Sequence, residues 1–241
     1  RRSIGDMKVT YLEHSGFAAE YKEYVLIFDW YRGSLPEFDQ QKKIYVFASH
    51  SHYDHFNKKI FGWSEQYPDV RYILSADIAG KEQSEEQSER TVYVTANKKY
   101  DFDGIKVQTL HSTDEGVAFI VYMEDKVIYH AGDLNWWHWE GEDPVWNRNM
   151  EADFRRYAEP LRGRKIDLAM LPLDPRLGED GFRGPQYFLE LADIRRFLPM
   201  HQWGNFNFTN QFLSCYTSFT SRTVYVNRVG QVFTFEEEAD T

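Results

Sequence analysis

The chain has 241 residues, 42% of them hydrophobic, 27% charged and 17% aromatic, with a formal net charge of -10. That balance belongs to a globular protein, and an acidic chain without a run of Lys or Arg lacks the basic face that a polyanion binder uses to displace counterions. A single cysteine, Cys215, excludes an internal disulfide framework and points to a reducing compartment.

No apolar run is long enough to span a bilayer. Arg1–Asp6 lack the apolar middle of a signal peptide and read as an added or native leader ahead of Met7. The location expected is cytoplasmic. No Gly/Ser or Pro-rich linker and no repeat interrupts the chain, so one domain over residues 7–241 is expected.

In chain order, Lys8–Leu12, Gly16–Glu20, Val25–Asp29 and Ile44–Ser49 are predicted strands. A helix is predicted near Asn57–Gln66, a strand at Tyr72–Ser75 and a helix at Ala76–Glu85. Strands follow at Thr91–Thr95, Ile105–Leu110, Val117–Met123 and Lys126–His130, the last two joined by a tight turn at Glu124-Asp125. Leu134–Asn149, rich in Trp, reads as a long loop. A helix over Glu151–Leu161 and an apolar strand over Ile166–Leu173 come next. An amphipathic helix over Gln186–Phe197 leads to Leu198–His201, and a last helix, Asn210–Thr220, precedes strands Val224–Asn227 and Gln231–Phe235. Strands grouped with helices in two halves indicate an α/β sandwich. The lack of a Gly-rich loop after the first strand speaks against nucleotide binding.

The chemistry concentrates in His50-Ser51-His52-Tyr53-Asp54-His55, which packs four potential metal ligands into six residues directly after a predicted buried strand. In an extended segment alternate side chains face the same way, so His50 and His52 can reach one ion together. After the chain bends, Asp54 and His55 can face a second. Imidazole and carboxylate donors suit zinc, iron or manganese.

The hexapeptide resembles the signature of the metallo-β-lactamase superfamily. The resemblance extends to Leu110-His111-Ser112, to Tyr129-His130-Ala131-Gly132-Asp133, to Leu198-Pro199-Met200-His201, and to an opening hairpin around His14-Ser15-Gly16 and Leu26-Ile27-Phe28-Asp29. It covers nearly the whole chain from Met7 and is strongest toward the branch containing ascorbate-6-phosphate lactonase. It implies a four-layer αβ/βα sandwich. It also implies one metal site of His50, His52 and His111, a second of Asp54, His55 and His201, and Asp133 as the carboxylate bridging them. The chain departs from the family pattern where Trp30 follows Asp29 and where Leu134-Asn135 follows Asp133.

Asp29 is a candidate to fix the tautomer of a ligand histidine. His14, Tyr53, Asn135 and His138 are further candidates to surround the metals or touch substrate; Arg176 and Arg183 are weaker ones, as anion contacts. His130 reads as structural and Cys215 as buried structure.

The resemblance implies two divalent ions, Zn²⁺ first and Mn²⁺ or Fe as alternatives. These lower the pKa of a bridging water toward neutrality and set it to attack, with Asp54 and Asp133 in the catalytic role. The activity expected is hydrolysis of a small ester, lactone or phosphoester, with no nucleic acid or membrane partner and with a homo-oligomer left open. The alternatives are a nuclease or phosphodiesterase, a metal redox or sensor protein, and a non-catalytic scaffold.

Overall fold

The structure, a computed structural model, describes residues 6–80 and 85–236, with residue 85 described by its backbone alone. Its contacts divide the chain into two units, Arg1–Val94 with Arg228–Thr241, and Thr95–Asn227. Residues 1–5 of the expected leader Arg1–Asp6 and residues 81–84 of the expected helix Ala76–Glu85 lie outside the described residues; the start of that helix is a short 3₁₀ turn, Ala76–Ile78.

The first unit is built on a seven-stranded sheet ordered β13-β1-β2-β3-β4-β5-β6. Its strands are β1 (Met7–Glu13), β2 (Gly16–Tyr21), β3 (Tyr24–Phe28), β4 (Lys43–Ala48), β5 (Val70–Ser75), β6 (Thr91–Val94) and β13 (Val232–Phe235). From β3 to β6 every pairing is parallel. β3, Tyr-Val-Leu-Ile-Phe, is buried along its whole length, as a strand covered on both faces must be. Leu12, Val25, Ile27, Ile44, Val46, Tyr72 and Leu74 form the core with Ile60 and Phe61. The last two come from a 3₁₀ helix, Lys58–Glu65, whose start is capped by Asn57. Helix α1 (Glu85–Glu89) is short.

The second unit carries a six-stranded sheet ordered β12-β11-β10-β9-β8-β7. The strands are β7 (Lys99–Phe102), β8 (Ile105–His111), β9 (Val117–Met123), β10 (Lys126–His130), β11 (Lys165–Pro172) and β12 (Asp193–Met200). β7 to β10 form an antiparallel meander, and β10, β11 and β12 pair in parallel. Helices α2 (Pro144–Ala158), α3 (Arg183–Leu191) and α4 (Phe208–Cys215) belong to this unit. Phe154 of α2 is fully buried, with ring centroids 5.9 Å from Trp136, 5.3 Å from Tyr187 and 5.1 Å from Phe188.

Several expectations shift. The predicted helix Gln186–Phe197 stops at Leu191: Ala192 is extended, and β12 pairs with β11 over Asp193–Met200. The apolar run ending Phe197-Leu198-Pro199-Met200 is a strand, and Pro199 is tolerated because β12 is a sheet edge. Helix α2 begins seven residues before the expected Glu151. Asp143 accepts the Val145 N–H at 2.7 Å, and Pro144 occupies the first turn, where its missing N–H costs nothing. β7 escaped notice, although the Asp103-Gly104 turn joining it to β8 carries the positive φ that favours glycine. Val224–Asn227 forms no strand; Thr223 makes only an isolated bridge to Phe197. Cys215 is exposed, because α4 turns Phe208, Thr209, Phe212 and Leu213 inward and leaves its last residue outside. No described helix is long and apolar enough to cross a membrane.

Truncating Phe154 to Ala removes the ring on which Trp136 and α3 pack. It should cost about 3–5 kcal/mol in urea unfolding. A loss under about 1 kcal/mol would show that this aromatic cluster is not where the second unit draws its stability.

Candidate metal centre

In the first unit β1, β3, β4 and β5 point the same way, so their carboxyl ends meet at one sheet edge. In open α/β sheets that is where sites form. His14 follows β1, Asp29 follows β3, and Ser49 and His50 follow β4. His14 and Asp29 take left-handed backbone, with φ of 53° and 46°. Such conformations cost energy in a non-glycine residue and concentrate at functional turns.

Asp29 is fully buried and organises the cluster. Its Oδ1 accepts the Ser49 N–H at 2.7 Å, and its Oδ2 accepts the Ser49 hydroxyl at 2.6 Å and His55 Nδ1–H at 2.7 Å. An ionised carboxylate can only accept, so His55 carries its proton on Nδ1 and its lone pair on Nε2. The Ser49 hydroxyl spends its proton on Asp29, so Ser49 Oγ accepts from His50 Nδ1–H at 2.9 Å. His50 is thereby set in the same tautomer. One carboxylate orients two imidazoles, whose centroids lie 4.1 Å apart.

His52 is exposed and its ring sits 4.7 Å from that of His50, edge to face. Ligand atoms of His50 and His52 fall within 4.8 Å of each other, as do those of His14, Asp54 and His55. Asp54 Oδ2 lies 3.4 Å from His55 Nε2 and accepts from His14 Nε2–H at 3.0 Å. His14 therefore holds Asp54 in place with the nitrogen it would otherwise offer to a metal. Tyr53 is 71% exposed, and with Tyr31, Arg32, Ser51 and Lys58 it lines a groove of ≈ 690 Å³ beside this cluster. Arg32 there is ion-paired with Glu13.

In the second unit β8, β10, β11 and β12 also share a direction, and their carboxyl ends carry the other expected residues. His201, after β12, is buried with φ 61°. Its Nδ1–H donates to Asp174 Oδ2 at 2.8 Å, and its Nε2 faces Asp133 Oδ1 at 3.2 Å. Asp174, at the end of β11, also accepts from Arg176 and from Trp203 Nε1–H at 3.2 Å. Burial alone would raise this carboxyl, but the hydrogen bonds from His201 and Arg176 outweigh it and hold it at about 2. Arg176 is also stacked between Trp139 and Trp203, with its guanidinium carbon 5.5 and 4.6 Å from their ring centroids.

Asp133 follows the Ala131-Gly132 turn, which is locked by Gly132 N–H donating to His130 Nδ1 at 3.1 Å. Trp137 Nε1–H binds the Asp133 carbonyl at 2.9 Å, and the Trp137 ring packs on His201. Thr113 clasps the same turn. Its hydroxyl oxygen lies 2.7 Å from the Asn135 carbonyl and accepts the Asn135 N–H at 3.0 Å. The Asn135 amide is fully buried against Gly184, where an added Cβ would lie 1.9 Å from its Oδ1. His138 lies on a cleft of ≈ 410 Å³ with Trp139, Arg148 and Arg183, its Nε2 3.9 Å from Asp180 Oδ2. Arg183 is held by the same Asp180 and by the Trp136 face.

His111 stands differently from the others. It is exposed, stacks face to face on Tyr157 at 4.1 Å and donates Nδ1–H to the Ser112 carbonyl at 2.7 Å. Among the described residues it shares in neither grouping of three or more ligand atoms, whereas Asp114 has a carboxylate oxygen within 4.8 Å of one of Asp133.

Asp174 and Asp114 were not anticipated. Asp174 could have been found from Leu173-Asp174-Pro175, a strand-ending Asp before a helix-starting Pro, which repeats what Asp29 does after β3. Asp114, three residues past His111 in a hairpin loop, has no local signal to separate it from a turn residue.

The donor set fits divalent metal. It consists of imidazoles whose Nδ1 protons are fixed by carboxylate, hydroxyl or carbonyl, alongside carboxylates that face the Nε2 edges.

No model of a protein family matches the chain. A UPF0173 metal-dependent hydrolase of Desulforamulus reducens is 26% identical over 217 residues, covering 81% of this chain and 84% of its own. Igni18, a metallo hydrolase of Ignicoccus hospitalis, superposes with a TM-score of 0.63 at 16% identity over 97% of this chain and 100% of its own. YhfI of Bacillus subtilis, a metallo-beta-lactamase fold protein, gives 0.62 at 14% identity over 96% and 100%. The chain has the metallo-β-lactamase fold. Within that fold, the hexapeptide after β4 and the Gly-Asp after β10 stand at strand ends, as the sequence resemblance implied.

If Asp29 and Asp174 set the tautomers, Asp29→Asn and Asp174→Asn should each weaken metal binding about 10–100-fold in a chelator competition. Unchanged affinity in both would remove the ordering role given to these carboxylates.

Proposed function

We propose that this metal-dependent hydrolase holds two divalent ions with His50, His52, Asp54, His55, His111, Asp133 and His201, and uses them to cleave a small ester, lactone or phosphoester. The observation that carries the reading is the Asp29 hub, through which one buried carboxylate sets both His50 and His55 to present Nε2. Burying a charge at that cost suits a site that needs rigid, correctly protonated imidazoles. His201 on Asp174 repeats the device. His111 presents Nε2 by the same means, its Nδ1–H held by the Ser112 carbonyl, while its ring stacks on Tyr157.

Bound there, the ions would supply an acidified water and an electrophilic partner for the scissile oxygen. Zn²⁺ suits the imidazole donors, and Mn²⁺ or Fe the carboxylates. The protein's own part is orientation. His14 holds Asp54, Ser49 relays the Asp29 charge to His50, and Trp137 pins the Asp133 turn while covering one side of His201.

The groove beside the hexapeptide supports a small substrate. Tyr31 and Tyr53 give it aromatic walls, and Lys58 places a cationic group at its margin beside the Arg32–Glu13 ion pair, which suits a small organic group. The net charge of -10 and the lack of a basic run favour this over a nuclease.

The test is a metal-reconstituted preparation screened on a γ-lactone, a p-nitrophenyl ester and bis-p-nitrophenyl phosphate. Asp133→Asn and His52→Ala should lower metal content, measured by elemental analysis, and cut the turnover of whichever substrate is hydrolysed at least about 100-fold. Full metal and full rate in either variant would refute the reading.

A further inference from the structure

We propose that Tyr53 determines specificity at this centre, and that the substrate is an ester, lactone or phosphoester carrying an aromatic ring that lies against Tyr53 in the groove it shares with Tyr31. The inference rests on the dinuclear reading above and names the kind of organic group that accompanies the scissile bond.

Tyr53 stands in the chain between two proposed ligands, His52 and Asp54. The backbone there is a tight turn, in which the His52 carbonyl accepts the His55 N–H at 3.0 Å and the Phe56 N–H at 3.1 Å. The turn that carries His52 and Asp54 thus also fixes the backbone of Tyr53, one residue from each. Tyr53 is 71% exposed, and among the described residues its hydroxyl makes no hydrogen bond. Its ring stands edge to face with that of Tyr31, with centroids 6.4 Å apart and planes at 82°.

Tyr31 is held firmly. Its carbonyl accepts Asn57 Nδ2–H at 2.8 Å, and Asn57 Oδ1 in turn accepts the Lys59 N–H at 3.0 Å to cap the 3₁₀ helix Lys58–Glu65. The Arg32 guanidinium lies over the Tyr31 ring, its carbon 5.0 Å from the centroid, and the His14 ring stands edge-on at 6.2 Å. His14 is the residue that holds Asp54. A line of contacts therefore runs from the exposed ring, through Tyr31 and His14, to a ligand carboxylate.

Both walls of the groove are set before anything enters it. Its ≈ 690 Å³ falls within the range of small-molecule sites, which are largely pre-formed and lined by apolar and aromatic side chains. Arg32 is matched by Glu13, and Phe56 joins the two tyrosines in the lining, so the groove chiefly offers aromatic surface. An aliphatic group gains burial there. An aromatic ring gains in addition from the offset or edge-to-face fit between ring quadrupoles.

The experiment takes the full chain and the variants Tyr53→Phe and Tyr53→Ala, each loaded with Zn²⁺ and checked by circular dichroism and elemental analysis. Calorimetric titrations compare phenylphosphonate with methylphosphonate, which shares the anionic head and lacks the ring. Wild type and Tyr53→Phe should bind phenylphosphonate at least about fivefold more tightly than methylphosphonate, and Tyr53→Ala should bring that ratio under about twofold. In wild-type protein with ¹³C-labelled tyrosine, phenylphosphonate should shift the ring resonances of Tyr53 and Tyr31, a readout that needs no variant. Equal affinities in wild type, the wild-type ratio in Tyr53→Ala, or unmoved Tyr53 signals with phenylphosphonate bound would overturn the proposal. Failure of the metal reading has a different signature: methylphosphonate itself would bind no better to the Zn²⁺-loaded protein than to the chelator-stripped one.

Discussion

The site depends on one arrangement used twice: a buried carboxylate at the end of a parallel strand that accepts a hydrogen bond from the Nδ1–H of a histidine. Asp29 does this for His55 directly and for His50 through Ser49, and Asp174 does it for His201. Neutral imidazole has two tautomers, and only one leaves Nε2 as the ligating atom. Choosing it in advance removes a conformational and protonic choice that metal binding would otherwise have to make. The cost is a buried negative charge, which each carboxylate offsets by accepting several hydrogen bonds. Asp174 adds the Arg176 guanidinium, itself immobilised between two indoles.

Strand direction makes the arrangement possible. A sheet whose parallel strands end at one edge delivers successive residues to the same place without long loops. β3 delivers Asp29, β4 delivers Ser49 and His50, β11 delivers Asp174 and β12 delivers His201. The left-handed φ values at Asp29 and His201 turn the chain sharply just past those ends. Strained backbone of this kind persists where its surroundings over-determine it. The core that does so is apolar and aromatic: Ile44, Val46 and Tyr72 in one unit, Phe154 and Phe188 in the other. The large aromatic share noted in the composition is therefore spent chiefly on packing, with Trp136 and Trp137 buried, while Tyr53, Trp146, Trp203 and Tyr225 are among the exposed rings.

Much of this was legible in the sequence because it is local. The hexapeptide, the Gly-Asp after Tyr129-His130 and the alternating or continuous apolar runs each lie within one short segment, and periodicity finds such segments. What escaped was set by tertiary pairing. Arg195-Arg196 interrupts an otherwise apolar run, so β12 imitates an amphipathic helix until β11 is there to pair with it. Helix α2 starts at Asp143-Pro144, a cap and first turn hidden inside a Trp-rich stretch that composition alone marks as loop. Asp114 and Asp174 look like ordinary turn residues until the fold brings them to Asp133 and His201. The stack of His111 on Tyr157 is likewise a contact between a strand end and a helix about forty-five residues later, which no local pattern encodes.

The most direct measurement is an anomalous-difference map from crystals of the metal-loaded protein, collected on both sides of the metal's absorption edge. The account predicts peaks at about 2.0–2.2 Å from Nε2 of His50, His55 and His201, with Nδ1 of His55 and of His201 still bonded to Asp29 and Asp174. Coordination through Nδ1, or loaded metal that leaves these three rings untouched, would contradict it.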